Sequence, residues 1–329
     1  MSDTTNALEF HPPDAIHQTL DQAHRIAVVT HVAPDGDAIG SCLGMVHLLR
    51  DMGKEAIPVC QDPVPYAVNW LPGIEEFHDR VPNDVDAVIS IDLSSPDRMG
   101  AAYDPAAHPT VPLINIDHHV TNTGFGTVNW VEPQAVAACE MVYHLAQAFS
   151  YPISPQVATY VLTGLLTDTR GLRTANVNAR VLRVATHLVD LGAPIGQITE
   201  LTFNRKPLSV IKLWALALQN LHVEPEGIIW ATITDEMRKA AGHEEKNDGG
   251  LVSFITSADT VYMGVVFTEE DGRVNVSMRS RPGYDVARVA FALGGGGHPQ
   301  AAGATVDGPL DEVQRRVITL LKDSLKQSG

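Results

Sequence analysis

Cysteine and long apolar runs are scarce in this sequence of 329 residues. Its three cysteines are Cys42, Cys60 and Cys139. Because no two of them form a CxxC pair, neither a disulfide framework nor a thiolate metal site is indicated, and we expect small buried side chains. No run of about 18 apolar residues occurs, so no transmembrane helix is expected. Residues 1–11 lack the basic and apolar blocks of a signal peptide, which favours a cytoplasmic protein.

Positive charge is also in deficit, since 23 lysines and arginines face 39 aspartates and glutamates, for a formal net charge of −16. Tight binding to long nucleic acid is disfavoured, because basic side chains would have to neutralise many phosphates. A small anionic substrate remains compatible with the deficit, since metal ions and a few arginines can reverse the field locally.

The patterns that are present predict two α/β domains. In the first half, short apolar runs such as 26–30 and 87–91 alternate with helical patterns. This alternation predicts a parallel sheet with helices on both faces, and a run of helices follows it. Strand patterns return in the last third, which predicts a smaller mixed α/β domain. The expected division is a first domain at residues 1–193, a linker at 194–207 and a second domain at 208–329.

Aspartate and histidine residues are concentrated at the ends of the predicted strands and of one helix. In chain order they are His31, Asp35 and Asp37 after the first strand, Asp92 after the strand at 87–91, Asp117, His118 and His119 after the strand at 113–116, and Asp168 at the end of a helix. Ligands of open α/β sheets collect at the carboxyl ends of the strands, so these side chains can converge. Converging carboxylates repel one another and are costly to desolvate unless a divalent cation neutralises them.

The mixture of carboxylate and imidazole suits manganese, iron, cobalt or zinc better than magnesium, and it suffices for two ions that share one carboxylate. Each residue alone also fits a structural role: Asp35 or Asp37 could cap the following helix, and a single histidine is commonly structural. The conjunction of all of them in this order is what favours a metal site.

Together these residues resemble the four motifs of the DHH phosphoesterases. The matching motifs are His31-x-x-Pro34-Asp35-x-Asp37, Asp92, Asp117-His118-His119 and Thr167-Asp168-Thr169. The segment 294–303 is similar to the DHH-associated domain of the first type, and the resemblance extends over about residues 16–321. With only these two domains, the chain looks like the bacterial nanoRNases that also act as phosphatases of 3′-phosphoadenosine 5′-phosphate (pAp).

The resemblance implies a manganese-dependent phosphoesterase with two ions, which hydrolyses short oligoribonucleotides, or pAp to AMP and phosphate. The implied partners are small nucleotides or short single-stranded RNA, without long duplex nucleic acid or a membrane; the oligomeric state stays open, and a homodimer is one option. The implied roles are His31, Asp35 and Asp92 for one ion, Asp37, Asp92, His118 and Asp168 for the other, Asp117 as a partner that orients a histidine, and His119 at the substrate phosphate. The family's pattern after the fourth motif is not kept, since Arg170 and Leu172 stand there.

Further candidate substrate residues carry positive charge or lack side chains. Arg98, six residues after Asp92, could reach the same phosphate. The predicted strand at 273–281 has apolar residues on one face and Arg279 and Arg281 on the other, where arginine forks could bind phosphate. Next come the glycines, of which Gly295, Gly296 and Gly297 would cradle the nucleotide, with His298 at the start of the next helix. A solvated polar stripe and a flexible loop are the alternative interpretations.

Other functions remain as alternatives to the proposed one. A cyclic-dinucleotide or pApA phosphodiesterase would use the same catalytic core. A family II pyrophosphatase would share the first domain, but the GGGGH signature speaks against it, and a RecJ-like exonuclease would need a larger and more basic chain. A nucleotide-binding sensor without catalysis is an alternative of another class, although all expected ligands are present.

Overall fold

The computed structural model describes residues 10–270 and 272–327, so most of the N-terminal segment used to judge a signal peptide lies outside the described residues. The chain divides into two compact units between Arg205 and Lys206. All three cysteines are buried, as expected. Among the described residues, no helix has both the length and the apolar character that crossing a membrane requires.

The first unit is built on a parallel sheet of five strands, as predicted. In chain order the strands are β1 (Arg25–Val29), β2 (Glu55–Val59), β3 (Ala87–Ile91), β4 (Leu113–Asp117) and β5 (Val128–Val131), and their order in the sheet is β2-β1-β3-β4-β5. Strand β5 was not predicted, because it is a short edge strand of which only Trp130 is buried. The carboxyl ends of β1, β3 and β4 are neighbours in this order, which places the loops that follow them side by side.

The α-helices cover one face of this sheet, whereas helices were expected on both, and the other face is covered by connecting segments and a short 3-10 helix. The α-helices are α1 (Asp14–Gln22), α2 (Gly36–Asp51), α3 (Ala138–Ala148), α4 (Pro155–Asp168), α5 (Ala179–Asp190) and α6 (Ile195–Thr199). The largest core joins these helices to strand residues such as Val28 and Ile89. A smaller core on the other face joins Val29 and Val88 to connecting segments, including the 3-10 helix Pro96–Met99. Both faces of the sheet are therefore buried.

The segment predicted as a linker contains helical structure, and the boundary between the two units lies within it. Residues 194–207 contain α6 and a π-helical turn at Glu200–Asn204. Within the turn, Thr202 is buried and its hydroxyl accepts a hydrogen bond from the Trp70 indole at 3.2 Å. Ile198 of α6 is fully buried in the core of the first unit.

The second unit is built on a mixed sheet of six strands, also as predicted. The strands are β6 (His222–Val223), β7 (Ile228–Ile233), β8 (Met263–Glu270), β9 (Arg273–Ser280), β10 (Gly296–His298) and β11 (Ala301–Asp307), in the order β10-β11-β9-β8-β7-β6. Within the described residues, β7 and β8 pair in parallel and the other neighbouring strands of this sheet are antiparallel. The helices are α7 (Leu208–Leu218), α8 (Asp235–Ala241), α9 (Leu251–Thr256), α10 (Ala287–Ala292) and α11 (Leu310–Gln327).

The glycine-rich segment leads into a strand and not into a helix. His298 was expected at the start of a helix, but it ends β10 and pairs with Ala301 of β11 across a two-residue turn. The backbone of β11 approaches so closely that a Cβ at Gly297 would lie 2.6 Å from the Cα of Ala302. Gly297 also has φ of +138°, which other residues rarely adopt. Strand pairing therefore accounts for part of the glycine run.

The contact between α2 and α4 depends on a glycine, which gives a stability prediction. A Cβ at Gly40 would lie 2.8 Å from the Tyr160 carbonyl oxygen and 3.0 Å from the Gly164 amide nitrogen. We expect Gly40→Ala to lower the free energy of unfolding by about 1–3 kcal/mol, because backbone atoms cannot move aside cheaply. Urea unfolding followed by circular dichroism measures this change.

The matched control is Gly196→Ala in α6, where the added Cβ would meet no atom within 4 Å. This substitution is expected to be neutral or to stabilise by less than about 1 kcal/mol, since alanine favours helix over glycine. Equal effects of the two substitutions would contradict the close-packing explanation.

Candidate metal centre

The structure brings all six predicted metal ligands together in the first unit. His31 follows β1, and Asp35 and Asp37 lie at the start of α2. Asp92 follows β3, His118 follows β4, and Asp168 is the last residue of α4. Nε2 of His31 lies 3.8 Å from Oδ2 of Asp92, and Nε2 of His118 lies 3.5 Å from Oδ1 of Asp92 and 3.7 Å from Oδ2 of Asp168. The topology thus unites residues from four separate stretches of the chain.

The ligand atoms form overlapping groups, each within 4.8 Å. The groups are His31, Asp35 and Asp92; Asp37, His118 and Asp168; and Asp92, His118 and His119. The first two groups contain the residues implied for the two ions, except that the second group lacks Asp92. Asp92 instead lies beside His118, a member of that group. His119 was not expected among the potential ligands, yet its Nδ1 lies 3.9 Å from Oδ1 of Asp92.

Asp92 lies between the two groups in an unfavourable environment. Its side chain is buried, its φ is +63°, and Oδ1 accepts no hydrogen bond from the residues that the structure describes. Burial, followed by the charge of Asp37, raises the pKa of Asp92 well above the usual range. A left-handed backbone at a residue other than glycine costs on the order of 1 kcal/mol and commonly marks a functional position. A buried carboxylate oxygen without a donor fits a cation ligand.

Asp37 is held by the amino end of α3. Its Oδ2 accepts a hydrogen bond from the amide of Ala138 at 2.6 Å, and its Oδ1 accepts one from the amide of Cys139 at 3.0 Å. Burial and the charge of Asp168 nevertheless raise the pKa of Asp37 to about 7. These two amides escaped sequence reasoning, because backbone groups about a hundred residues away leave no pattern beside Asp37.

Asp35 combines a structural and a candidate ligand role. Its Oδ1 accepts hydrogen bonds from the amides of Asp37 and Ala38, both at 3.0 Å, and so caps α2. The structural role considered for Asp35, a helix cap, is therefore filled by one oxygen of this exposed side chain. Oδ2 of Asp35 takes no part in the cap. Asp35 can therefore cap α2 and still belong to the ligand group with His31 and Asp92.

Two histidines have one ring nitrogen beside a carbonyl oxygen. Nδ1 of His31 lies 2.8 Å from the Val32 oxygen, and Nδ1 of His118 lies 3.3 Å from the Ala135 oxygen. Because a carbonyl only accepts, Nδ1 of His118 carries the hydrogen and its Nε2 is left as the ligand atom. Nδ1 of His31 also lies 3.0 Å from Nη2 of Arg98, which only donates, so the carbonyl contact does not fix the tautomer of His31. Burial lowers the pKa of His31. Burial also acts to lower the pKa of His118, but contact with Asp92 and the nearby carboxylates prevail and raise it to about 10.

Asp117 forms a hydrogen bond with His119. The carboxylate is fully buried, and its Oδ1 accepts a hydrogen bond from Nδ1 of His119 at 2.7 Å. Its Oδ2 accepts a hydrogen bond from Asn122 at 2.6 Å, and Asn122 also donates to the Leu93 carbonyl at 3.1 Å. Asn122 was not among the predicted site residues, since an isolated asparagine in a loop gives no signal by itself.

The comparisons with known proteins agree with these motifs. The family model described as "DHH family, N-terminal domain" matches residues 25–165, and the model of the DHHA1 domain matches residues 231–327. The bifunctional oligoribonuclease and PAP phosphatase NrnA of Thermus thermophilus is 36% identical over 314 residues, which are 92% of this chain and 91% of that protein. The chain belongs to the DHH phosphoesterase family.

Two further relatives of this DHH phosphoesterase differ in the share of their own length that the match covers. The crystal structure of an exopolyphosphatase-related protein from Bacteroides fragilis superposes with a TM-score of 0.89 at 25% identity, and covers 96% of both chains. The cyclic-di-AMP phosphodiesterase PdeA of Listeria monocytogenes is 24% identical over 93% of this chain, which spans only 49% of PdeA.

Arg98 lies at the edge of the candidate metal centre of the DHH domain. Its Nη2 is 3.0 Å from Nδ1 of His31, and its carbonyl accepts a hydrogen bond from the Val32 amide at 2.8 Å. The loops after β1 and β3 are joined by this backbone bond. The guanidinium of Arg98 is thus held beside a candidate ligand, within the same site as the sequence predicted.

In the DHHA1 domain, strand register places Arg279 and His298 on one face. Arg279 pairs with Ala301 of β11, and Ala301 pairs with His298 of β10. Directly opposite residues of antiparallel strands share a face. Strand β9 is central and not an edge strand, but its apolar residues are buried in the alternation that was predicted. Arg281 follows β9 and donates a hydrogen bond to the Ala258 carbonyl at 2.7 Å.

The part of this face that β10 and β11 form beside Ser277 carries small residues. Gly296 pairs with Gly303, which pairs with Ser277 in turn. A Cβ at Gly296 would meet no atom within 4 Å, whereas one at Gly295 would collide with the Gly303 carbonyl and Ala304. These three glycines therefore have different effects, since Gly295 and Gly297 permit close packing of the strands and Gly296 leaves the surface open.

The buried carboxylates predict how pH acts on the protein without metal. The pKa of Asp37 in the folded state, about 7, lies above its ordinary value of 3.8. The folded state then holds more protons than the unfolded state, so the free energy of unfolding falls as pH rises through this window. His118 acts in the same sense above pH 6.5, because stability from its raised pKa is lost towards pH 10. We expect the Tm of chelator-treated protein to fall between about pH 5.5 and 7.5.

Differential scanning fluorimetry measures this slope, and added Mn²⁺ should flatten it, since a cation replaces the protons. Asp37→Asn is the matched variant, because it removes one titrating group while keeping its shape. A slope that is absent in the wild type, or that is unchanged in Asp37→Asn, would contradict the assignment of the pH dependence to this cluster.

Proposed function

We propose that this DHH phosphoesterase is a manganese-dependent hydrolase with two ions, which cleaves short oligoribonucleotides and hydrolyses pAp to AMP and phosphate. The observation that carries the proposal is the position of Asp92, whose two oxygens face the histidines of two adjoining ligand groups. The identity of 36% with an oligoribonuclease and PAP phosphatase over nearly the whole length of both proteins supports the substrate class.

In this proposal the ions are held as the family resemblance implies. His31, Asp35 and Asp92 bind one ion, and Asp37, Asp92, His118 and Asp168 bind the other. The mixture of imidazole and carboxylate favours manganese over magnesium, which prefers oxygen ligands. When bound, the two ions would polarise the phosphoryl group and make a water acidic enough to serve as the nucleophile near neutral pH.

His119 and Arg98 stabilise negative charge on the phosphate. The hydrogen bond from Nδ1 of His119 to Asp117 raises the pKa of the ring, which keeps it cationic over a wider pH range. The side chain is 42% exposed, so a substrate can reach it. Arg98 contributes a guanidinium beside His31, and such preorganised donors lower the free energy of a transition state in which charge develops.

The DHHA1 domain binds the nucleotide portion of the substrate. Arg279 and Arg281 supply positive charge, Gly296 leaves the backbone approachable between Gly295 and Gly297, which pack against β11, and His298 lies on the same face as Arg279. A substrate of a few nucleotides suits this small surface in a protein of net charge −16, because longer chains would meet repulsion from the rest of the protein.

A pair of arginines on β9 tests the substrate surface. We expect Arg279→Ala to raise KM for pAp by about 10-fold or more, since a charge-assisted hydrogen bond contributes about 1.5–3 kcal/mol. The bound metal should be unchanged. Arg273→Ala is the control, because Arg273 lies on the same face of the same strand, six residues away, and is exposed. Equal KM values for Arg279→Ala and the wild type would overturn the substrate role of this face.

A second candidate function is hydrolysis of pApA or of cyclic dinucleotides. The similarity to PdeA along 93% of this chain favours it, although the match spans half of PdeA. pApA and cyclic dinucleotides share the phosphodiester bond, but only pApA has a free terminal phosphate.

A panel of pAp, pApA, cyclic di-AMP, pyrophosphate and RNAs of two to five nucleotides, each with Mn²⁺ and with Mg²⁺, separates these functions. We expect turnover of pAp and of the short RNAs, and lower rates with Mg²⁺ alone. Turnover of cyclic di-AMP alone would favour the second candidate. Binding without turnover of any substrate would favour a nucleotide sensor and overturn the proposed activity.

A further inference from the structure

A buried ion pair lies behind the candidate metal centre, outside the residues discussed so far. Glu140 of α3 is fully buried, and Arg180 of α5 is almost so. Nε of Arg180 donates to Oε1 of Glu140 at 2.7 Å, and Nη2 lies 3.3 Å from Oε2. Burial acts to raise the pKa of Glu140, but His144 and Arg180 outweigh it and lower the pKa, so the carboxylate is charged at neutral pH. The guanidinium also lies over the Phe10 ring, at 4.3 Å.

Both partners of the pair bind the backbone of the segment that precedes α3. Nη2 of Arg180 donates to the Gln134 carbonyl at 2.7 Å, and Oε2 of Glu140 accepts a hydrogen bond from the Val136 amide at 2.8 Å. The pair therefore fixes the residues on both sides of Ala135. Isolated buried ion pairs contribute little to stability, because desolvation offsets their attraction, so their presence calls for another explanation.

The fixed segment carries the backbone groups that hold two candidate ligands. The Ala135 carbonyl accepts the hydrogen bond from Nδ1 of His118, and the segment ends at Ala138, whose amide binds Asp37. His118 and Asp37 belong to the same ligand group, together with Asp168. The ligand group of His31 and Asp35 receives no such contact from this segment in the part of the chain that the structure describes.

We propose that Glu140 and Arg180 are positioning residues for the second ion of the centre, acting through the backbone of residues 134–138. The inference rests on the two-ion function proposed above. Partners that orient metal ligands typically change metal affinity by about 10- to 100-fold when they are removed. Neither residue belongs to a ligand group, so the expected effect is on the affinity and geometry of one ion site.

Titration of the purified protein with Mn²⁺, in which free Mn²⁺ is measured by electron paramagnetic resonance, tests the proposal without substrate. The variants are Arg180→Met, which removes the charge and the fork, and Arg180→Lys, which keeps the charge but cannot bond to Glu140 and Gln134 in the same geometry. We expect the Kd of one Mn²⁺ to rise by about 10-fold or more in Arg180→Met, with the other Kd unchanged. Arg180→Lys should lie between Arg180→Met and the wild type.

Leu188→Ala is the control for a general loss of stability. Leu188 is fully buried in the same helix, and its truncation is expected to destabilise the domain by about 2–5 kcal/mol. Its two Mn²⁺ affinities should match those of the wild type at a temperature where it is folded. An equal loss of affinity in Leu188→Ala, or unchanged affinities in both Arg180 variants, would overturn the positioning role.

The outcome separates this inference from the proposed function. If Arg180→Met does not fold, Arg180→Lys decides, since unchanged Mn²⁺ binding by that variant overturns the inference. Two ions bound with equal affinity by the wild type and the variants would refute only the positioning role. Fewer than two ions bound by the wild type would refute the two-ion centre and with it this inference.

Discussion

Mutual repulsion among buried carboxylates is the constraint on which the DHH domain depends. Burial raises the pKa of both Asp37 and Asp92; the charge of Asp168 adds to this effect at Asp37, and the charge of Asp37 adds to it at Asp92. At a separation of about 4 Å, two like charges at the edge of a protein interior repel by about 4 kcal/mol. A fold that gathers such groups is stable at neutral pH only if protons, His118 or cations neutralise them. The arrangement is therefore favourable when cations are bound, whereas without neutralisation the repulsion would lower the stability of the fold.

The surrounding structure holds the carboxylates in place despite this repulsion. The amides of Ala138 and Cys139 bind both oxygens of Asp37. Gly164 of α4 leaves the space that Asp37 needs, since a Cβ there would lie 2.7 Å from Oδ1. The close contact of α2 and α4, the start of α3 and the ion pair of Glu140 and Arg180 are thus parts of one arrangement. The contacts that pack these helices together are therefore also the contacts that position the side chains of the site.

The side chains of the site could be predicted from the sequence, whereas the backbone groups that orient them could not. Asp92 and His118 follow apolar runs, and the parallel order of β1, β3 and β4 brings those ends together. The Ala135 carbonyl and the amides of α3 carry no side-chain signature, so only the folded chain reveals them. The same limit explains His298, because a run of glycines indicates close backbone approach without saying whether a strand or a ligand approaches.

The central claim is that two cations share Asp92, one beside His31 and Asp35 and the other beside Asp37, His118 and Asp168. Anomalous diffraction at the manganese absorption edge, from crystals grown with Mn²⁺, measures the number and positions of the ions directly. The account predicts two peaks about 3.5–4 Å apart, on either side of the Asp92 carboxylate. A single peak, or peaks that Asp92 does not contact, would contradict it.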